Sequence, residues 1–135
     1  MGTYFGTSIN ESPTIVMDAG EKLENARGIA LVIKDGMASK PAAGAHVIGI
    51  SLIETDEVVE KGASVDIQVK DIGKWVAGGE IAIGMELACD ADGRAVEAKT
   101  GDFIVGVALS GALDAGTWVK VQITKSGYKP AAANA

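Results

Sequence analysis

The chain has 135 residues, of which 47% are hydrophobic and only 4% aromatic, so a single domain of this size needs an aliphatic core. Its 18 glycines favour many turns over long helices. The net charge of -6 disfavours a nucleic-acid partner, because an acidic surface repels phosphate, and a single cysteine excludes an intrachain disulfide bond.

The first 13 residues are polar, contain glycine and end at Pro13. They hold too little apolar surface to fold alone, so residues 1–13 are predicted to form an extended N-terminal arm. No basic stretch is followed by a long apolar run, so no signal peptide is expected. No apolar run approaches the roughly 18 residues that span a bilayer, and no membrane partner is expected.

After a first short strand at 14–17, two ribbons of strands follow, at about 26–69 and 82–123. Each begins with an apolar strand and an Asp-Gly turn, in which glycine tolerates a positive φ. An apolar strand with a central glycine comes next, and a strand with alternating apolar and polar residues ends the ribbon. The shared order predicts an internal repeat of two antiparallel β-units.

The repeat is also visible in single positions that match at a constant spacing, which changes once, in the segment 52–62. A change of length in one loop is what a duplicated unit tolerates. The matched positions are Asp35-Gly36 with Asp92-Gly93, Gly44 with Gly101, Gly49 with Gly106, Leu52 with Leu109, Gly62 with Gly116, Val65 with Val119 and Gln68 with Gln122.

The segment 71–79 is interpreted as the link between the two units. Its Trp75 is predicted either to fill the core at the junction or to form an exposed anchor at an interface, where tryptophan is enriched. Residues 126–135 are predicted to be a C-terminal tail. The predicted fold is therefore mainly β, a small β-sandwich or barrel of two related antiparallel β-units spanning 14–125, with the N-terminal arm in front.

No residue pattern indicates an enzyme or a cofactor site. His46 is the only imidazole and begins an apolar strand, so a structural role is expected, and Cys89 is expected to be a small core residue. One histidine and one cysteine are too few for zinc. The acidic segment 54–61 lacks the spacing of oxygen ligands and the central glycine of a calcium loop.

The second unit, "GMELACDADGRAVEAKTGDFIVGVALSGALDAGTWVKVQI", resembles the phage capsid decoration, or cement, proteins of the lambda type. Those chains share a glycine, a strand, a D-x-D-G turn, an alanine-rich segment, an aspartate before an apolar stretch with Gly-Val-Ala-Leu, and a final G-x-x-V-x-V. The first unit is similar more loosely, because His46 and Ser51 stand where the pattern has aspartate and alanine. The matching positions are Gly84, Asp90, Asp92, Gly93, Asp102, Gly106, Val107, Ala108, Leu109, Gly116, Val119 and Val121.

The resemblance implies a non-enzymatic virion protein on the outer surface of an icosahedral phage head. Its partner would be the major capsid protein, whose neighbouring subunits it would bridge, and it would self-associate there as a trimer. The arm would lie on the capsid, with Tyr4, Phe5 and Ile9 as its apolar anchors. Two alternatives stay open: a small-ligand-binding or enzyme-accessory β-barrel with a pocket between the units, and another virion part such as a head-fibre base or a tail component.

Overall fold

A computed structural model describes residues 12–132. The described residues form strands, turns and loops, without a helix, and so contain no helical segment that could cross a membrane. The strands, in chain order, are β1 (Thr14–Asp18), β2 (Leu23–Glu24), β3 (Ala30–Lys34), β4 (Met37–Ser39), β5 (Gly49–Ser51), β6 (Val58–Val59), β7 (Ser64–Gln68), β8 (Asp71–Val76), β9 (Glu86–Cys89), β10 (Ala95–Glu97), β11 (Phe103–Ala108) and β12 (Trp118–Tyr128).

Ten of these strands form two five-stranded antiparallel sheets with the same order. The first sheet runs β1-β7-β5-β3-β4 and the second runs β8-β12-β11-β9-β10, while β2 and β6 form a small pair of their own. In each sheet a single bridge joins the end of the first strand to the last strand, Ala19 to Ala38 and Ala77 to Ala95. Each sheet therefore curls toward closure. The prediction of a mainly β, sandwich-like fold is confirmed.

The central glycine of each apolar strand lies at the same place in its sheet. A Cβ at Gly49 would collide with the backbone carbonyl of Gln68, and one at Gly106 would collide with that of Gln122. Both strands therefore need glycine because a neighbouring backbone approaches too closely for a side chain. The common strand order and these two contacts support the repeat, which we retain as a proposal.

Two segments differ from the predicted layout. The segment interpreted as a link contains β8, which occupies in the second sheet the edge position that β1 occupies in the first. A second unit that includes β8 begins near residue 71 rather than at 82. At the other end, β12 continues to Tyr128, and Gly101 and Asp102 exchange backbone hydrogen bonds with Lys129. The ordered chain thus extends beyond residue 125, because β12 continues to pair with β11 as far as Tyr128, after a register shift between Ile104 and Gly106.

The core lies between the two halves as well as within them. One cluster of buried side chains belongs mostly to the second sheet but includes Ala30, Val47 and Ile50 from the first. A smaller cluster, with Leu23, Leu31 and Ile67 among its members, belongs to the first half alone. The halves share buried apolar surface, whose removal from water stabilises their contact.

Backbone hydrogen bonds fix the junction between the halves. Ala30 N donates to Gly93 O at 2.7 Å, Val76 N to Gly28 O at 3.0 Å, and Gly44 N to Cys89 O at 2.8 Å. Gly93 has a φ of +80°, and a Cβ there would lie 2.7 Å from the carbonyl oxygen of Ala30. The Asp-Gly turn of the second half is therefore part of the junction.

Candidate binding surfaces

The side chains that could carry chemistry serve structural roles. His46 is exposed and stacks on Phe103 with ring centroids 4.3 Å apart, and Phe103 meets Tyr128 edge to face at 5.5 Å. Cys89 is buried, as predicted, and burial raises the pKa of its thiol, which keeps the nucleophilic thiolate scarce. Within residues 12–132 no three histidine, cysteine or carboxylate side chains come together as a possible metal site.

The predicted interface residues have two outcomes. Trp75 is fully buried, and its indole Nε1 donates to Gly93 O at 2.8 Å. It fills the core and cannot anchor a partner, because β8 is a strand of the sheet with this side chain pointing inward. The other three, Tyr4, Phe5 and Ile9, lie outside the described residues.

A cleft opens where the halves meet. It has a volume of about 270 Å³ and is lined by Arg27, Arg94 and Trp118, among others. Trp118 is half-buried, and its ring covers Gly28 so closely that a Cβ there would clash with it. Arg27 Nε donates to Thr55 O at 2.7 Å, which ties one wall of the cleft to the acidic segment.

The exposed segments outside the two five-stranded sheets differ between the halves. In the second half, Ile81 and Ala112 exchange backbone hydrogen bonds of 2.8 and 2.9 Å. Beyond this pair, Leu113 is 82% exposed and Ile83 is 72% exposed. Leu113 lines an open groove of about 630 Å³ whose charged lining residues are two carboxylates. In the first half the segment 54–60 is acidic instead, with Glu54, Asp56, Glu57 and Glu60.

The outer faces of the two edge-strand pairs carry opposite charges. On β1 and β7, exposed Val16 lies opposite Asp66, with Asp18 further along; we call these three residues the acidic face. On β8 and β12, Lys74 lies directly opposite Lys120, beside exposed Ile72; we call these three residues the basic face.

These faces occupy matching places in the two sheets. If Gln68 matches Gln122, the register pairs Asp66 with Lys120 and Val16 with Lys74. The alternation in the sequence predicted that Asp66 and Lys120 point outward. It did not reveal Lys74 opposite Lys120, because β8 was interpreted as a link, nor Val16 opposite Asp66, because the pairing of β1 with β7 was not predicted.

A solved structure shares this architecture. The N base of head fibre gp8.5 in bacteriophage phi29 superposes with a TM-score of 0.63 and 21% sequence identity, covering 86% of this chain and 97% of that chain. At this identity the likeness concerns the fold. No curated protein matches the chain.

The sequence itself matches a family model. The model for phage cement proteins covers residues 9–123, which includes both sheets as far as Ile123 within β12. Cement proteins are structural components of the virion and not a class of enzymes. This agrees with the exposed apolar and charged surfaces described above. The chain belongs to the phage cement protein family and is a head-stabilising protein associated with the phage capsid.

Proposed function

We propose that this protein binds the outer surface of an icosahedral phage head, in the manner of the lambda-type decoration proteins, and stabilises it by bridging neighbouring major capsid subunits. The observation that carries the proposal is the family match over residues 9–123. The resemblance of the second unit to lambda-type chains supports the finer assignment, and it also supports clustering of copies on the head as trimers.

Bridging suits a body with two halves that share buried apolar surface. The groove beside Leu113 exposes a large apolar side chain and two carboxylates, whereas the segment 54–60 carries four carboxylates, so one molecule presents two different surfaces. Because the halves are joined by buried side chains and backbone hydrogen bonds, a load on one half passes to the other. Modest contacts repeated over a shell sum to a large resistance to pressure from packaged DNA.

The N-terminal arm supplies a second kind of contact. Residues 1–13, if extended, span at most about 45 Å, which is enough to cross onto an adjacent subunit. An extended segment can add main-chain hydrogen bonds at an open sheet edge, and its alternate side chains then enter pockets. Tyr4, Phe5 and Ile9 are the apolar residues proposed to anchor the arm.

The test is binding of purified protein to heads that lack it, followed by electron microscopy of the decorated particle. We expect density outside the shell across the boundaries between capsid subunits. A variant that lacks residues 1–11 should bind more weakly and keep the unfolding temperature of the whole chain, whereas removal of residues 133–135 serves as the control. Density inside the shell or only at the tail would contradict the proposal.

A head-fibre base is the second candidate, because the phi29 fibre base has the same fold over 97% of its chain. In that case the body would be the foot of a projecting fibre, and density would continue outward from it in the same micrographs. A pocket between the two units is less favoured, since Trp75 and the hydrogen bonds around Gly93 fill much of that junction.

A further inference from the structure

We propose that copies of this chain associate head to tail, with the acidic face of one copy on the basic face of the next. The inference deepens the proposed function, since the head is where copies would be brought together. It rests on the faces themselves, which lie on matching strand pairs of the two sheets and carry opposite charges.

The exposed apolar side chains mark both faces as surfaces for contact. Val16 is 65% exposed and Ile72 is 56% exposed, each on the edge strand of its sheet. β-Branched residues on a strand normally gain stability by packing against neighbours. Here they lie in solvent beside charged residues, an arrangement typical of the centre and rim of a small interface.

The basic face carries an electrostatic cost that a partner would relieve. Lys74 and Lys120 are directly opposite across the strands, and like charges in that position destabilise a sheet. Among the described residues neither ammonium group lies within ion-pair distance of a carboxylate. In an acidic protein with a net charge of -6, two adjacent unpaired lysines therefore stand out as a place for an external carboxylate.

The acidic face provides such carboxylates. Asp66 lies opposite Val16 and Asp18 lies two residues further along β1, so two carboxylates surround one exposed apolar side chain. On the basic face the opposed pair Lys74 and Lys120 lies beside the exposed side chain of Ile72. Within the described part of the chain, neither aspartate has a basic partner at ion-pair distance. A face that meets its own copy would bring like charges together, so the complement of each face is the other one.

A contact between two different faces is heterologous, and such contacts generate closed rings or open chains of subunits. A few exposed ion pairs and two apolar side chains give a weak contact in solution. On a head the copies are held side by side, so the same weak contact acts at a high effective concentration. The association should also weaken as salt screens the exposed charges.

The experiment reverses the charge of each face and then of both, with sedimentation velocity at low ionic strength as the readout. Asp18→Lys with Asp66→Lys makes both faces basic, and Lys74→Asp with Lys120→Asp makes both faces acidic. Each pair of changes should lower the association constant by at least roughly fivefold, the upper range for one exposed ion pair. The variant with all four changes exchanges the charges of the two faces and should regain association. Asp56→Lys with Glu57→Lys, and Lys99→Asp with Lys129→Asp, change the net charge equally at residues outside the two faces and should leave the association constant unchanged.

Three results would overturn the proposal: a wild-type protein that stays monomeric at every concentration, variants with one reversed face that associate like the wild type, or a variant with both faces reversed that associates as weakly as those with one. If a face variant instead loses binding to heads and keeps its self-association, that face is a capsid contact and the proposal fails. Failure of the proposed function would give a different result. The wild-type protein would then not bind or stabilise heads, whether or not its copies associate with each other.

Discussion

The two halves of the molecule have the same strand order but use it in different ways. The turn glycine of the first half, Gly36, has open space around it, whereas its match Gly93 contacts Ala30 and accepts the hydrogen bond of Trp75. The register likewise places Met17, which is half-buried, where the second half has the fully buried Trp75. The two halves thus keep the same strand order but differ in their side chains. The turn glycine and the tryptophan of the second half make junction contacts that their matches in the first half lack.

The surfaces diverge more than the interiors. Matching outer positions carry Asp66 in one half and Lys120 in the other, and the segment with four carboxylates in the first half contrasts with the exposed Leu113 in the second. Two sheets that began with equal surfaces would offer a partner the same contact twice. Divergence gives one molecule several distinct contacts, which is what a protein that joins different neighbours requires.

The largest expected difference between the halves concerns the core. Trp75→Ala removes a fully buried ring and its hydrogen bond to Gly93, and should lower the free energy of unfolding by about 3–5 kcal/mol. Met17→Ala, at the matching and half-buried position, should cost much less. Urea unfolding of both variants measures the difference, and equal losses would contradict the view that the second half holds the junction.

The central glycines should behave alike. Gly49→Ala and Gly106→Ala each force a Cβ against the backbone carbonyl of a glutamine, so each should cost about 1–3 kcal/mol. Gly79→Ala is the control, because its added Cβ meets nothing within 4 Å. Thermal or urea unfolding provides the comparison. If only one of the two glycines tolerates alanine, the two sheets are less alike than their strand order implies.

The turn glycines should behave differently from each other. At Gly36 alanine meets only the strain of a positive φ, of about 1–2 kcal/mol. At Gly93 the same strain is joined by a contact of 2.7 Å with Ala30 O, so the backbone must move and disturb the hydrogen bonds of the junction. The loss of stability should therefore be larger for Gly93→Ala. Equal losses of stability for Gly36→Ala and Gly93→Ala would show that the turn at Gly93 does not contribute to the stability of the junction.

The smallest effect on stability is expected at Cys89. The strand register places the exposed Ile33 at the matching position of the first half. Cys89→Ala should cost about 1 kcal/mol or less, and Ile33→Ala is the control. Burial raises the pKa of the thiol, so the folded chain keeps its proton after the unfolded chain has lost it. The wild type should therefore lose stability as pH rises above the ordinary thiol pKa, and the alanine variant should lack that part of the loss.

Urea unfolding at neutral and alkaline pH checks this expectation. Parallel behaviour of wild type and variant would mean that the thiol does not titrate differently on folding. Loss of head binding by Cys89→Ala with normal stability would reveal a functional site that the buried position of the side chain conceals.

The sequence predicted the strands with clear alternation and the glycine turns, because period-two patterns and Asp-Gly pairs are local signals. β8 was missed because "DIGKWV" does not alternate between apolar and polar residues and has a glycine at its third position. The structure shows the same irregularity, since the first two residues are both exposed. The two faces could not be predicted either. They exist only after β1 pairs with β7 and β8 with β12, and strand pairing brings together residues that are distant in the sequence.

The release of DNA from filled particles during heating tests the central claim most directly. Particles without this protein should release DNA at a lower temperature than decorated particles, and added wild-type protein should restore the higher one. Protein without residues 1–11 should restore it less well at equal concentration. If bare and decorated particles release DNA at the same temperature, the protein does not cement the head, even if it binds there.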